Sequence, residues 1–190
     1  MGRAIIVTGT PGTGKTAFST RLARQIGANY ISLNKYASQH RLLGGYDRKR
    51  KSRIVDVEKT RTSLQHLLAR TKTLSVIDTH VPDGIVPKRM AQLILVLRSH
   101  PRVLETRLRK KRWPLTKIRE NVLAEILDAC FLASVRYYGR KKIVQLDTSR
   151  NSIGRCVVLA RKVLEKPPKM TQVDWIAKLE KERLLDMYLK

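Results

Sequence analysis

The chain has 190 residues, of which 42% are hydrophobic, enough to bury the core of one α/β domain and too few for two large ones. Its 40 Lys and Arg face only 15 Asp and Glu, and a formal charge of +25 implies attraction to a polyanion such as RNA, DNA or an acidic protein. A surface adapted only to heat or salt would add both signs. Cys130 and Cys156 form no C-x-x-C, so neither a zinc site nor a disulfide framework is indicated and both read as small core residues. With no signal segment ahead of the first strand and no apolar run of membrane-spanning length, a cytoplasmic protein without membrane contact is expected.

Ala4-Ile5-Ile6-Val7 is a short apolar run that reads as a buried strand. Directly after it, Gly9-Thr10-Pro11-Gly12-Thr13-Gly14-Lys15-Thr16 matches the phosphate-binding pattern G-x-x-x-x-G-K-[ST], and an amphipathic helix from Thr16 to Ile26 follows. Glycines let such a loop aim its N–H groups at phosphate oxygens, and the helix N-terminus adds a field that favours negative charge. Lys15 is then expected to reach the β- and γ-phosphates of ATP, and Thr16 to ligate Mg²⁺.

Further strand-like runs at Tyr30-Leu33, Leu74-Ile77, Leu93-Leu97 and Ile143-Leu146 alternate with helix-length segments, the βα rhythm of a buried parallel sheet. Val57-Arg70 predicts a helix, with Leu64, Leu67 and Leu68 at helical spacing. Pro101-Arg112 and Leu115-Tyr138 predict two more, separated by Trp113-Pro114, where proline breaks or restarts the helix. Asn151-Glu165 closes the domain, and Lys166-Pro167-Pro168-Lys169 reads as a stiff linker. The tail from Asp174 to Lys190 reads as one amphipathic helix, free to pack back on the domain or to dock on a partner.

In Leu74-Ser75-Val76-Ile77-Asp78-Thr79-His80 an acid ends a buried strand, the Walker-B position that holds Mg²⁺ or its waters beside Thr16; a local cap is the alternative role. His80 leaves two readings, one in which it orients water or phosphate in the cleft and one in which it hydrogen-bonds in a loop. The densest basic clusters, Arg48 to Arg53 and Arg107 to Arg112, flank segments expected to border the cleft and can bind RNA phosphates or stand as solvated surface. With only ten aromatic residues, any RNA contact is expected to be mostly to backbone.

The phosphate loop, then Gly45-Tyr46-Asp47, Ile54-Val55-Asp56, Val76-Ile77-Asp78-Thr79-His80, Val96-Leu97-Arg98 and Lys117-Ile118-Arg119-Glu120-Asn121 occur in an order that resembles the adenylate kinase isoenzyme six family, also called the coilin-interacting nuclear ATPase family. The resemblance covers about residues 4 to 160, and its most discriminating piece is Asp-x-His after the second motif strand. It implies a P-loop nucleoside monophosphate kinase fold, α/β with a central parallel sheet flanked by helices and a short lid. It further implies adenylate kinase and ATPase activities, ATP and Mg²⁺ as cofactors, AMP or a related monophosphate as substrate, and a role in maturing the small ribosomal subunit with a platform ribosomal protein or ribosomal RNA as partner.

Carried over by position, the resemblance puts Gly12, Thr13, Gly14, Lys15 and Thr16 on the ATP-phosphate loop with Ala17 just inside the helix, and makes Asp78 and His80 the metal and water-orienting pair. The kinase domain would span about 1–166, with a monophosphate-binding segment at about 34–57, a lid at about 110–117 and a linker and helix over 167–190. Arg150 would meet the adenine or stand as a solvated loop arginine. Two departures matter. Many members have Arg-Gly before the lid aromatic where this chain has Lys111-Arg112-Trp113; a lysine lacks the planar fork of arginine, so either Lys111 takes that arginine's place on the nucleotide with a contact of changed character or Arg112, one position along, supplies the fork on the transferred phosphoryl group. Tyr36-Ala37-Ser38-Gln39 lacks the basic residue some members use near the acceptor phosphate, leaving Arg41, Arg48 or Arg53 as substitutes. Two functions therefore stand side by side: phosphoryl transfer to AMP, and an ATP-switched assembly factor with little kinase turnover.

Overall fold

The computed structural model describes residues 2–47, 52–81, 84–165 and 173–189. Five parallel strands form the central sheet: β1 (Ala4–Thr8), β2 (Asn29–Ser32), β5 (Ser75–Asp78), β6 (Ala91–Arg98) and β7 (Ile143–Asp147), in the order β2-β5-β1-β6-β7. β1 lies at the centre and is buried along its whole length, as a strand covered on both faces must be. In register, Ile6 pairs with Ile77 of β5 and with Ile94 of β6, and Ile94 with Ile143 of β7.

The alternation of a strand sorts these side chains into two cores. Ala4 and Ile6 face a layer built on α2 (Leu33–Gln39), α3 (Val57–Arg70) and α6 (Ala129–Tyr138), through Leu33, Leu64, Leu68, Phe131 and Tyr138. Ile5 and Val7 face α1 (Lys15–Gln25) and α7 (Ile153–Glu165), through Phe18, Leu22, Val157 and Ala160. Cys156 belongs to this second core and Cys130 packs against the first; both are free thiols. A third cluster joins α4 (Pro101–Lys110) and α5 (Leu115–Ile126) to the chain's C-terminal part.

Between α2 and α3 an antiparallel hairpin, β3 (Leu43–Asp47) and β4 (Ser52–Val55), stands apart from the main sheet. Asp56 ends it and caps α3 by accepting the Lys59 N–H at 3.0 Å. No helix among the described residues is long and apolar enough to cross a membrane.

Three expectations from sequence need correction. Leu33 opens α2 instead of ending a strand. The helix expected over Leu115-Tyr138 is two helices, because Asp128 adopts a left-handed conformation (φ 57°) with its carboxylate drawn onto the Arg98 guanidinium. The single tail helix is also two, α8 (Trp175–Lys181) and α9 (Leu185–Leu189), parted at Arg183 with φ 56°. Both pack back on α4 and α5 through Leu179, Leu184, Leu185 and Tyr188. The expected linker Lys166-Pro167-Pro168-Lys169 lies outside the described residues.

Candidate active site

From β1 the chain runs through α1 toward one edge of the sheet, and from β6 through α4 toward the other, so the carboxyl ends of these two neighbours form the topological switch point, where open α/β sheets take their ligands. The Gly9–Thr16 loop lies there. Gly9 has φ 142°, and a Cβ on it would stand 2.3 Å from the Leu97 carbonyl oxygen, so only glycine lets the loop pass so close to β6. Gly12 has φ 99°, and a Cβ there would meet Leu104 Cδ1 at 2.8 Å, which seats the loop directly on α4. Gly14, also at positive φ, is the N-cap of α1, and Ala17 is exposed in its first turn.

Thr13 is a brace of the loop. Its backbone N–H and its hydroxyl both donate to the Thr10 carbonyl, at 3.2 and 2.9 Å, and its own carbonyl accepts the Thr148 hydroxyl at 3.0 Å. Lys15 curls back over the loop, its Nζ donating to the carbonyls of Gly9 at 2.8 Å and Thr10 at 3.3 Å. Burial lowers the pKa of its ammonium and the nearby Lys111 charge adds to this, while Asp78 and Glu125 act in the opposite sense. A cation short of counter-charge beside a cradle of glycines suits an anionic ligand.

Thr16 donates its hydroxyl to Asp78 Oδ2 at 2.8 Å, and the Tyr30 hydroxyl donates to the same oxygen at 3.4 Å. Burial and the Asp78 charge raise the Tyr30 pKa, so this phenol remains a donor. Nothing in the sequence marks Tyr30, which sits on an edge strand with no motif around it. His80, two residues after Asp78, is exposed, yet partial burial of its ring lowers the imidazole pKa, the Lys15 charge lowers it further, and Asp78 opposes both. Its titration thus couples to the two charged groups of the motifs.

No group of three or more His, Cys, Asp and Glu gathers among the described residues. A cation here would take oxygens from Thr16 and Asp78 and complete its shell with phosphate and water. That donor set fits Mg²⁺, which keeps several waters and is held by one or two protein groups plus substrate phosphates.

Under the loop lies a polar network with little local signature. Arg98, at the end of β6, is 1% exposed and donates Nε to Glu125 Oε1 at 2.8 Å, Nη1 to Gln145 Oε1 at 2.6 Å and Nη2 to the Glu125 carbonyl at 2.8 Å. Burial alone would lower the Arg98 pKa, but the Glu125 and Asp128 carboxylates raise it, so the cation persists. Glu125 Oε1 also accepts the Ser99 N–H and the Trp175 indole N–H, each at 3.0 Å, while its Oε2 accepts the Thr10 hydroxyl at 2.5 Å. The one signal that could have found it is an acid on the apolar face of a helix, beside Ile118, Val122 and Ile126.

Of the basic cluster at 107–112, Arg107 turns inward, donating to the Thr148 carbonyl at 2.7 Å and its hydroxyl at 3.1 Å, and Arg109 pairs with Glu105 at 2.7 Å. The cluster is therefore less available to a polyanion than its composition implies. Lys110, Lys111 and Arg112 stay exposed, with Arg112 at φ 55° in the turn between α4 and α5. Pro114 is the N-cap of α5, and Lys117 lies 4.5 Å over the Trp113 ring. Arg150 is exposed in the loop between β7 and α7, two residues after Thr148. Arg41 and Arg53 are exposed on the hairpin side, whereas Arg48 to Lys51 lie outside the described residues.

Two depressions of about 270 and 260 Å³ lie at the opposite end of the sheet, sharing Arg3 and Gln92, and contain none of the motif residues.

Residues 5–128 match the family described as "AAA domain". The chain is 32% identical over 182 residues to a protein of Saccharolobus solfataricus named "Putative adenylate kinase", covering 96% of this chain and 92% of that one. It is 34% identical over 173 residues to "Adenylate kinase isoenzyme 6 homolog FAP7" of Saccharomyces cerevisiae, covering 88% and 86%. Among solved structures, a shikimate kinase from Bacteroides thetaiotaomicron superposes with a TM-score of 0.52 at 18% identity, over 86% of this chain and 98% of that one, a likeness of fold. The loop, the strand-end acid, the parallel sheet and these relatives together make the chain a kinase-like P-loop protein that uses nucleotide, and it belongs to the adenylate kinase isoenzyme six family.

Proposed function

We propose that the chain transfers the γ-phosphoryl group of Mg·ATP to AMP or a related monophosphate, hydrolyses ATP as well, and serves small ribosomal subunit maturation in the cytoplasm. The observation that carries this reading is Lys15 folded over the glycine loop, opposite the Thr16–Asp78 pair. A phosphate offers the Lys15 ammonium a charged partner, stronger than the two carbonyls it now holds. Gly12, Gly14 and the start of α1 present backbone N–H groups and a favourable dipole to the same phosphates, while Thr13 keeps the loop in shape. Thr16 and Asp78 would hold Mg²⁺, which when bound neutralises charge on the phosphates. His80, its pKa lowered by burial and the Lys15 charge, would orient an attacking water or acceptor oxygen. Arg112 and Lys111 act as lid cations on the transferred group, and Arg150 flanks the nucleotide from the loop after β7.

A coupled assay of ADP formation with and without AMP tests the reading. AMP should stimulate turnover, and Lys15→Ala should abolish both reactions; unchanged turnover in a folded Lys15→Ala protein would rule the site out.

The formal charge of +25 supports a second reading, an ATP-switched assembly factor that holds ribosomal RNA or a platform ribosomal protein with little kinase turnover. Its RNA form predicts that replacing Lys110, Lys111 and Arg53 together weakens binding to ribosomal and unrelated RNA alike. The slope of log affinity against log salt should flatten by about 0.7–0.9 for each phosphate that the variant no longer neutralises. No binding of wild type to either RNA near physiological salt would exclude it.

A further inference from the structure

Glu125 is 2% exposed, and its two carboxylate oxygens are claimed from three directions: by Thr10 of the phosphate loop, by Arg98 and the Ser99 N–H at the end of β6, and by Trp175 at the start of α8. The partners are far apart in sequence, 115 residues from Thr10 to Glu125 and 50 from Glu125 to Trp175. The side chain therefore joins the nucleotide loop to the chain's last helices. Trp175 is 2% exposed, with its ring edge-on to His100 at 5.4 Å, and the His100 ring nitrogen meets Glu182 of the same tail at 2.9 Å. A second path runs through apolar contact: Leu179 of α8 packs in one cluster with Leu104 and Leu108, whose methyl groups fill the space where Gly12 would carry a Cβ.

From this double connection we propose that α8 and α9 act as a clamp on the phosphate loop, with Glu125 as the positioning residue through which Trp175 holds Thr10, so that nucleotide binds tightly only while the tail is docked. The proposal rests on the reading that the loop binds ATP. Its physical basis is that a buried carboxylate shared among several donors has one orientation that satisfies all of them. Removing the indole N–H leaves a lone pair of Oε1 unmatched and loosens the orientation that presents Oε2 to Thr10. Glu125 touches no reacting atom; it acts by keeping the loop's carbonyls and N–H groups in the shape that phosphate requires. By linkage the effect is reciprocal: if the docked tail tightens nucleotide binding, bound nucleotide must tighten the tail.

The test uses the full chain, with ADP and Mg²⁺ as the probe. Trp175→Phe keeps an aromatic ring but loses the N–H donor and part of the indole's volume, and it should raise the Kd of Mg·ADP and the KM for ATP about fivefold, equivalent to about 1 kcal/mol, with kcat changed less than about twofold. The exposed tail variant Lys181→Ala should bind as wild type does. Thr10→Val should also weaken binding, and the double variant Thr10→Val/Trp175→Phe should lose less than the product of the two single effects, since both act through one carboxylate. In wild type, saturating Mg·ADP should slow hydrogen exchange of the backbone amides of residues 175–181. That measurement decides the matter even where Trp175→Phe does not fold. A folded Trp175→Phe with wild-type Kd and KM, or tail exchange unaltered by nucleotide, overturns the clamp and leaves the kinase reading standing. Wild type that binds no Mg·ADP overturns the nucleotide reading, and the clamp with it.

Discussion

On one side of the phosphate loop, Arg98 and Glu125 are 1% and 2% exposed and share hydrogen bonds with Thr10, Ser99, Gln145 and Trp175. Away from this network, the β3–β4 hairpin leaves Tyr46 59% and Ile54 53% exposed, and among the described residues its strands pair with each other and not with the main sheet. On the proposed function, the contrast separates two jobs. The loop proposed to grip triphosphate is braced by buried partners, which would suit charge stabilisation by fixed groups. The hairpin lacks such anchoring, which, if it serves the acceptor as proposed, would suit an element that closes over a second substrate.

The sharpest way to break this comparison is Arg98→Met. It leaves the buried Glu125 carboxylate and the half-buried Asp128 carboxylate without their cation and should cost about 3–5 kcal/mol of stability, measured by urea unfolding. A loss of less than about 1 kcal/mol would mean that the network does not hold the loop. Next in size, Lys15→Ala should lower turnover by at least about 10²–10³-fold while the melting temperature stays near that of wild type, because its Nζ holds only two carbonyls. Asp78→Asn should reduce Mg²⁺-dependent turnover by about 10–100-fold and shift the Mg²⁺ concentration needed upward. A variant that turns over normally at wild-type Mg²⁺ levels would remove Asp78 from the metal shell.

Smaller effects probe the same contrast. His80 has a lowered pKa in the fold, so as pH falls through its ordinary value of about 6.5 the unfolded chain takes up the proton first and the fold loses stability. Wild type should therefore lose more stability than His80→Ala between pH 7.5 and 5.5, with their difference constant above that range. Equal losses would mean that neither burial nor the Lys15 charge shifts the ring. At neutral pH, His80→Ala should slow hydrolysis more than it weakens nucleotide binding. Last, Tyr46→Ser on the hairpin should change unfolding free energy by no more than about 0.5 kcal/mol. Its effect, if the hairpin serves the acceptor, belongs in the KM for AMP and not in the KM for ATP.

Much of this architecture was legible in the residues. Ala4-Val7 with the glycine loop, and Ser75-Ile77 ending in Asp78, carry local signals: an apolar run sets a buried strand, and glycines at positive φ set the turn that follows. The break at Trp113-Pro114 was visible because proline acts on its own backbone. The break at Asp128 was not, since a left-handed aspartate there depends on Arg98 from another element. Nor could the run at 107–112 reveal that Arg107 turns in toward Thr148, because that depends on where β7 ends.

The alternation of strands and helices, the phosphate loop after the first strand and the acid ending a later strand are thus written locally in the residues. These depend on periodicity and on backbone preferences acting over a few residues. That Glu125, one more charge on an amphipathic helix, is the buried acceptor between Thr10 and Trp175, and that the tail lies against α4 and α5, follows from long-range packing alone. The reason is physical: desolvation and pairing of a charge depend on which distant segments close around it, and partners 115 and 50 residues away leave no mark in the local pattern.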